Sequence, residues 1–101
     1  MSMTSRNLIF GNAKLGTNLS EVPVGGLMQS KIRVELSEEN NSESSWISEL
    51  IILGDLPWHM GESRKVEVRI MSEEFRTRVM DKQPSMLIRY GSQIIGSLLL
   101  I

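Results

Sequence analysis

The stretch Met86-Leu-Ile-Arg-Tyr-Gly-Ser-Gln-Ile-Ile-Gly-Ser-Leu-Leu-Leu100 decides the fold of this chain. Two apolar, β-type runs flank the dipeptide Gly91-Ser92, and glycine occupies the first loop position. That arrangement suits a type II′ turn, whose backbone twist matches that of paired antiparallel strands. Met86, Ile88 and Tyr90 alternate with Leu87 and Arg89. Ile94-Ile95 followed by Leu98 to Ile101 makes the returning strand. Gly96 within it offers no side chain to pack and predicts a bulge or a close backbone approach.

Working back from this hairpin, the period of two recurs. Lys31-Ile-Arg-Val-Glu-Leu36 puts Ile32, Val34 and Leu36 on one face and Lys31, Arg33 and Glu35 on the other. Arg64-Lys-Val-Glu-Val-Arg-Ile70 does the same with Val66, Val68 and Ile70. Both read as half-buried strands. Between them, Ser37 to Ser45 is polar and rich in turn formers, and reads as an exposed loop. Two segments fit either of two states. Ser45 to Gly54 fits a helix through Trp46/Leu50 and Ile47/Ile51, and equally a strand buried on both faces. Ser72 to Met80 fits a helix through Phe75/Val79, or a strand with Arg76 and Arg78 on one side. Residues 1–30 are broken up by Gly11, Gly16, Gly25 and Gly26, and read as a leader or linker contributing at most one edge strand.

Several short strands at even spacing, with no long amphipathic helix, predict an all-β domain over residues 31–101. The expected form is a small antiparallel barrel of about six strands, closed or partly open. A chain of 101 residues is one domain by length and can bury a core unaided. The absence of cysteine removes disulfides and thiolate metal sites, and suggests a reducing, cytoplasmic setting. No stretch resembles a secretory signal or a membrane span. The formal charge is −1, with residues 31–60 acidic and residues 61–101 mildly basic. A self-sufficient nucleic-acid binder draws affinity from a basic excess, so RNA is expected at most as a weak partner.

The segment Val79 to Gly96 resembles the closing part of domain III, the C-terminal β-barrel of elongation factor Tu and related translational GTPases. Ile88, Arg89, Gly91 and Gly96 sit at the family's hairpin positions without a gap. Upstream, Met60-Gly61-Glu62 resembles the Pro-Gly-Asp that precedes a barrel strand, and Ile32 to Glu39 resembles the opening strand with its acidic loop. The resemblance spans residues 31–101. Tyr90 stands where the family usually has Glu, Leu98 replaces a second Gly, and residues 72–75 look like a short insertion. No Gly-x-x-x-x-Gly-Lys-Ser/Thr phosphate loop occurs in the sequence, so no nucleotide is expected as a ligand. In that family the barrel is a surface for protein partners and tRNA, so the resemblance implies a binding module.

Candidate partner-binding residues follow. Trp58 and His59 lie in the turn-rich Asp55–Gly61 loop, where a tryptophan is available either as an interface anchor or as core at a barrel end. His59 is the only histidine and lacks the companions needed for a metal site or a catalytic triad. Arg76, Arg78 and Arg89, with Arg64 and Arg69, would form a modest basic patch if residues 72–80 were extended. Glu62, Glu67, Glu73, Glu74 and Asp81 among them favour a mixed, solvated face instead. The acidic loop Glu38, Glu39, Glu43 lacks the spacing and Gly turn of a calcium site. The expectation is thus a non-enzymatic barrel, without cofactor, that contacts a protein partner linked to translation or a ribonucleoprotein. The alternatives are a regulatory or immunity-type protein that blocks an enzyme, and a weak RNA-binding module. An uncovered sheet edge would also support a homodimer.

Overall fold

Alternating side chains need a shared interior, and here the strands curl round until the first meets the last. The computed structural model describes residues 8–101. Its elements are β1 (Ile9–Leu15), β2 (Lys31–Glu38), β3 (Asn41–Ile52), β4 (Ser63–Ile70), α1 (Glu73–Lys82), β5 (Met86–Tyr90) and β6 (Gln93–Leu100). They form one closed antiparallel barrel in the order β1-β4-β3-β2-β5-β6. Ile32, Val34 and Leu36 of β2 and Val66, Val68 and Ile70 of β4 are buried, as their alternation requires. Each such side chain contributes about 1.5–3 kcal/mol when fully buried. The core is continuous, reaching from Ile9 and Leu15 through Leu50 and Ile88 to Leu98.

The final hairpin has the expected two-residue loop, with Tyr90 opposite Gln93 and Gly91 at φ +63°. Gly96 shows both predicted features. The pairing register shifts beside it, since Ile88 faces Gly96 while Arg89 faces Ile94, which leaves Ile95 as the extra residue. A Cβ at Gly96 would also run into the Lys14 carbonyl oxygen. The backbone of β1 can approach β6 only because that position is glycine.

Three expectations are corrected. Residues 1–30 are not simply a leader with an edge strand, because β1 pairs with β4 on one side and β6 on the other. Its inward positions Ile9, Gly11, Ala13 and Leu15 are all buried, so it is an interior member of the barrel. Residues 1–7 of that segment lie outside the described part. Among the described residues each strand also has a neighbour on both sides, so the uncovered sheet edge that was expected is not found there. Finally, Ser37–Ser45 is not a plain loop. Strands β2 and β3 continue into it, Glu38 faces both Asn41 and Met86, and Ser37 is buried.

Tertiary context settles the two ambiguous segments. Residues 41–52 are strand, held between β2 and β4, with Ser48, Leu50 and Ile52 inward and Ile47 outward. Residues 73–82 are helix because both ends are capped. The Ser72 hydroxyl accepts the Phe75 N–H at 3.1 Å, Glu73 and Glu74 occupy the first turn, and Lys82 the last. Gln83 turns left-handed at φ 47° and returns its N–H to the Val79 carbonyl. Phe75 and Val79, four residues apart, are buried on one helix face, and Trp46 stacks on Phe75 with ring centroids 5.1 Å apart. The helix packs next to β4, and Phe75 and Val79 join the barrel core.

Replacing Gly96 with Ala is expected to lower stability by roughly 1–3 kcal/mol, because the new Cβ has only backbone to displace. Denaturant unfolding measures this, and an unchanged midpoint would contradict the close approach at the β1–β6 seam.

Candidate functional site

One barrel end is covered by two loops, residues 16–30 and residues 53–62, and Trp58 ties them together. Its backbone N–H and C=O bond the C=O and N–H of Leu27, each at 2.9 Å. Its indole N–H donates to the Glu62 carbonyl at 2.8 Å. The side chain is fully buried, with Val22, Leu27, Leu15 and Ile52 in the same core. Of the two roles open to Trp58, burial decides for core at a barrel end, and its partner-binding role is corrected. A large amphipathic ring with its N–H satisfied closes the barrel mouth and has no surface left for a partner.

The residues after it form a polar latch. Glu62 Oε1 accepts the His59 backbone N–H at 3.2 Å and the Arg64 Nε–H at 3.1 Å, and His59 Nδ1 lies 3.9 Å away. The Arg64 guanidinium also donates to the Pro57 carbonyl at 3.4 Å. Gly61 N–H is shared between the Leu15 and Gly16 carbonyls, each 3.0 Å away, which fastens this loop to the end of β1. Hydrogen bonding from the His59 N–H, and then the Arg64 guanidinium, holds the Glu62 carboxyl below its ordinary value. The His59 ring itself is exposed.

The facing loop makes a turn, in which Gly26 N–H bonds the Pro23 carbonyl at 2.8 Å. Gly26 takes φ +94°, and a Cβ there would lie 2.6 Å from the Trp58 carbonyl oxygen. Val24, at the tip, is 96% exposed, and Met28, beyond the Leu27 bridge, is 66% exposed. The barrel end thus presents Val24, Met28 and His59 on backbone that is pinned to a buried indole. Val24 was not singled out from sequence, and Met28 was read only as one of seven methionines open to surface or core use. Their signal was Pro23-Val-Gly-Gly26, a turn with an apolar residue at its tip, inside a segment read as linker.

The arginines do not gather. Arg76 and Arg78 lie on α1, where two residues are separated by about 200° around the axis, so they face different directions. Arg76 reaches Glu73 at 3.9 Å. Arg78 reaches Glu38 at 3.4 Å and lies over the Phe75 ring, 5.8 Å from its centroid. Arg89 stands on β5 opposite Glu35. Arg64 pairs with Glu62 and Arg69 with Glu67. The basic patch of Arg76, Arg78 and Arg89 is corrected to separate cations, Arg76 and Arg78 each beside a carboxylate and Arg89 in register with Glu35, because residues 73–82 are helical.

Among the described residues, no three His, Asp or Glu side chains converge as metal ligands. No described hydrogen bond joins a hydroxyl to the His59 ring, so the geometry of an activated nucleophile is not assembled there. None of the described helices is long and apolar enough to cross a membrane. No protein-family model, curated protein or solved structure matches the chain.

Two outcomes are expected at this site. Replacing Trp58 with Ala costs about 3–5 kcal/mol, since it empties the barrel mouth, and loss of the cooperative thermal transition measures it. The latch should also show in the acid limb of stability. A carboxylate whose folded pKa is depressed adds stability that is complete above its ordinary value of 4.5 and is lost as pH falls through the lower folded value. Glu62→Gln should therefore reduce the melting temperature at neutral pH, and the gap to the parent protein should close in acid. A gap that stays constant across that range would exclude the latch.

Proposed function

We propose that this chain is a non-enzymatic binding module, and that the barrel end built from residues 22–28 and 55–61 is where a protein partner docks. The observation that carries this reading is the exposed pair Val24 and Met28 on a loop with little freedom to lose. Ordering a loop at an interface opposes binding, and a turn already fixed by Gly26 and by the Leu27–Trp58 bridge avoids much of that opposition. His59 adds a polar, exposed ring at the rim, in keeping with interfaces that combine an apolar centre with a polar border.

A direct role on RNA is less well supported. Phosphate binding rewards several unneutralised cations acting together, whereas these arginines are dispersed among carboxylates. The resemblance of residues 31–101 to the translation-factor barrel points in the same direction as the exposed loop, since that barrel serves as a docking surface. A translation component or ribonucleoprotein protein is the class of partner that this resemblance suggests.

The experiment is affinity purification from cells expressing the tagged chain, comparing the parent with a Val24→Asp, Met28→Asp double variant. Both positions are exposed, so stability should stay within the usual surface range of about ±0.5 kcal/mol per substitution. The proposal expects a reproducible protein partner to be lost from the variant. An identical set of captured proteins from both would overturn it.

A further inference from the structure

A second surface lies on the barrel wall, where β1, β5 and β6 meet the start of the 16–30 loop. Leu19, Leu87 and Ile94 form an open apolar groove of about 400 Å³, bordered by Lys14, Thr17 and Ser97. The seam is part of it: Gly96 lets the β1 backbone lie close to β6, and Gly96, Leu19 from the loop and Leu87 from β5 all line the groove. Ile94 remains 42% exposed on the wall despite its size.

The one charged residue lining the groove is Lys14, and the nearest acid on the same loop, Glu21, lies beyond the lining against Gly91. Lys14 faces Ser63 on β4 and Ser97 on β6, neither of them charged. The described ion pairs engage Glu38, Glu62, Glu67 and Glu73, and none of them involves Lys14. Arg89, the other cation on this wall, has Glu35 opposite it. Lys14 is thus a cation outside the described ion pairs, in the same lining as Leu19, Leu87 and Ile94.

We infer that this groove receives a short peptide segment of a partner protein in which aliphatic residues flank a single carboxylate. The aliphatic side chains would cover Leu87 and Ile94, and the carboxylate would meet Lys14. Nucleic acid fits less well, since its affinity grows with the number of cations engaged and the groove offers one. Anionic membranes are recognised by clusters of about 4–8 basic residues, which are also lacking here. The inference does not depend on the barrel-end reading, because Val24 and Met28 do not line the groove.

The test uses fluorescein-labelled Gly-Leu-Leu-Asp-Leu-Leu-Gly and its Lys-for-Asp counterpart, with binding read by fluorescence anisotropy. The expected result is saturable binding of the acidic peptide, weakened about tenfold or more by Ile94→Asp and by Lys14→Glu. Lys14→Glu should in turn prefer the basic peptide, a reversal that a purely structural lysine would not produce. Melting curves of both variants establish that they are folded. Val24→Asp with Met28→Asp should leave peptide binding unchanged, which separates this groove from the barrel-end site. Absence of saturation, or affinity indifferent to Lys14→Glu and to peptide charge, would overturn the inference. So would a sedimentation shift to dimer that Ile94→Asp abolishes, because the groove would then belong to a second copy of this chain.

Discussion

The barrel closes where the backbone of β1 lies against Gly96 of β6, and the rest of the molecule depends on that contact. A strand with a side chain at residue 96 would hold Lys14 and Leu15 away, and the Gly16 N–H could not reach the Ile95 carbonyl at 2.8 Å. Without that seam β1 and β6 become edges, and their unpaired N–H and C=O groups would face water or another chain. The register shift lies next to the same glycine. One extra residue in β6 adds local twist, which the sheet needs in order to curl back on its first strand.

Closing the wall leaves two open mouths, and the protein fills them by different chemistry. At one, a capped helix supplies Phe75 and Val79, with Trp46 stacked on the outside. At the other, no regular element is present and one indole does the work, its backbone bridged to Leu27 and its N–H given to Glu62. The second solution draws in two loops rather than one. It fixes Val24, Met28 and His59 at the surface without using any of them for the core. Burial of Trp58 and exposure of its neighbours are therefore one arrangement: the ring organises the surface from beneath.

Much of this was legible before any coordinates. The strict alternation in Lys31–Leu36 and Arg64–Ile70, and the Gly91-Ser92 hairpin, directly encode strands with a single buried face. The segments that resisted assignment did so for physical reasons. Isoleucines and leucines at successive positions in residues 47–53 satisfy both a helical and an extended period, and only their place between β2 and β4 decides the matter. Ser72, Glu73 and Glu74 were present as capping signals, yet Phe75, Thr77 and Val79 alternate equally well, and it was Gln83 turning left-handed that ended a helix there. The role of β1 was hidden because its inward positions include Gly11 and Ala13, small residues that suit a crowded seam and give little hydropathic contrast. The site was harder still. Tryptophan is favoured both in cores and at interfaces, so its type could not say which side of the loop Trp58 would take. Arg76 and Arg78 appeared to share a face only on the assumption that their segment was a strand.

Strand order has a consequence in time as well as in space. Both neighbours of β1 come from far along the chain, β4 from residue 63 onward and β6 from residue 93 onward. On a growing polypeptide β1 emerges before either of its mates. It has no partner until β4 has been made, and the wall cannot shut until the last hairpin has been translated. The small or polar residues Gly11, Asn12 and Ala13 then have a second value. They make the waiting segment a poor nucleus for premature clumping during synthesis.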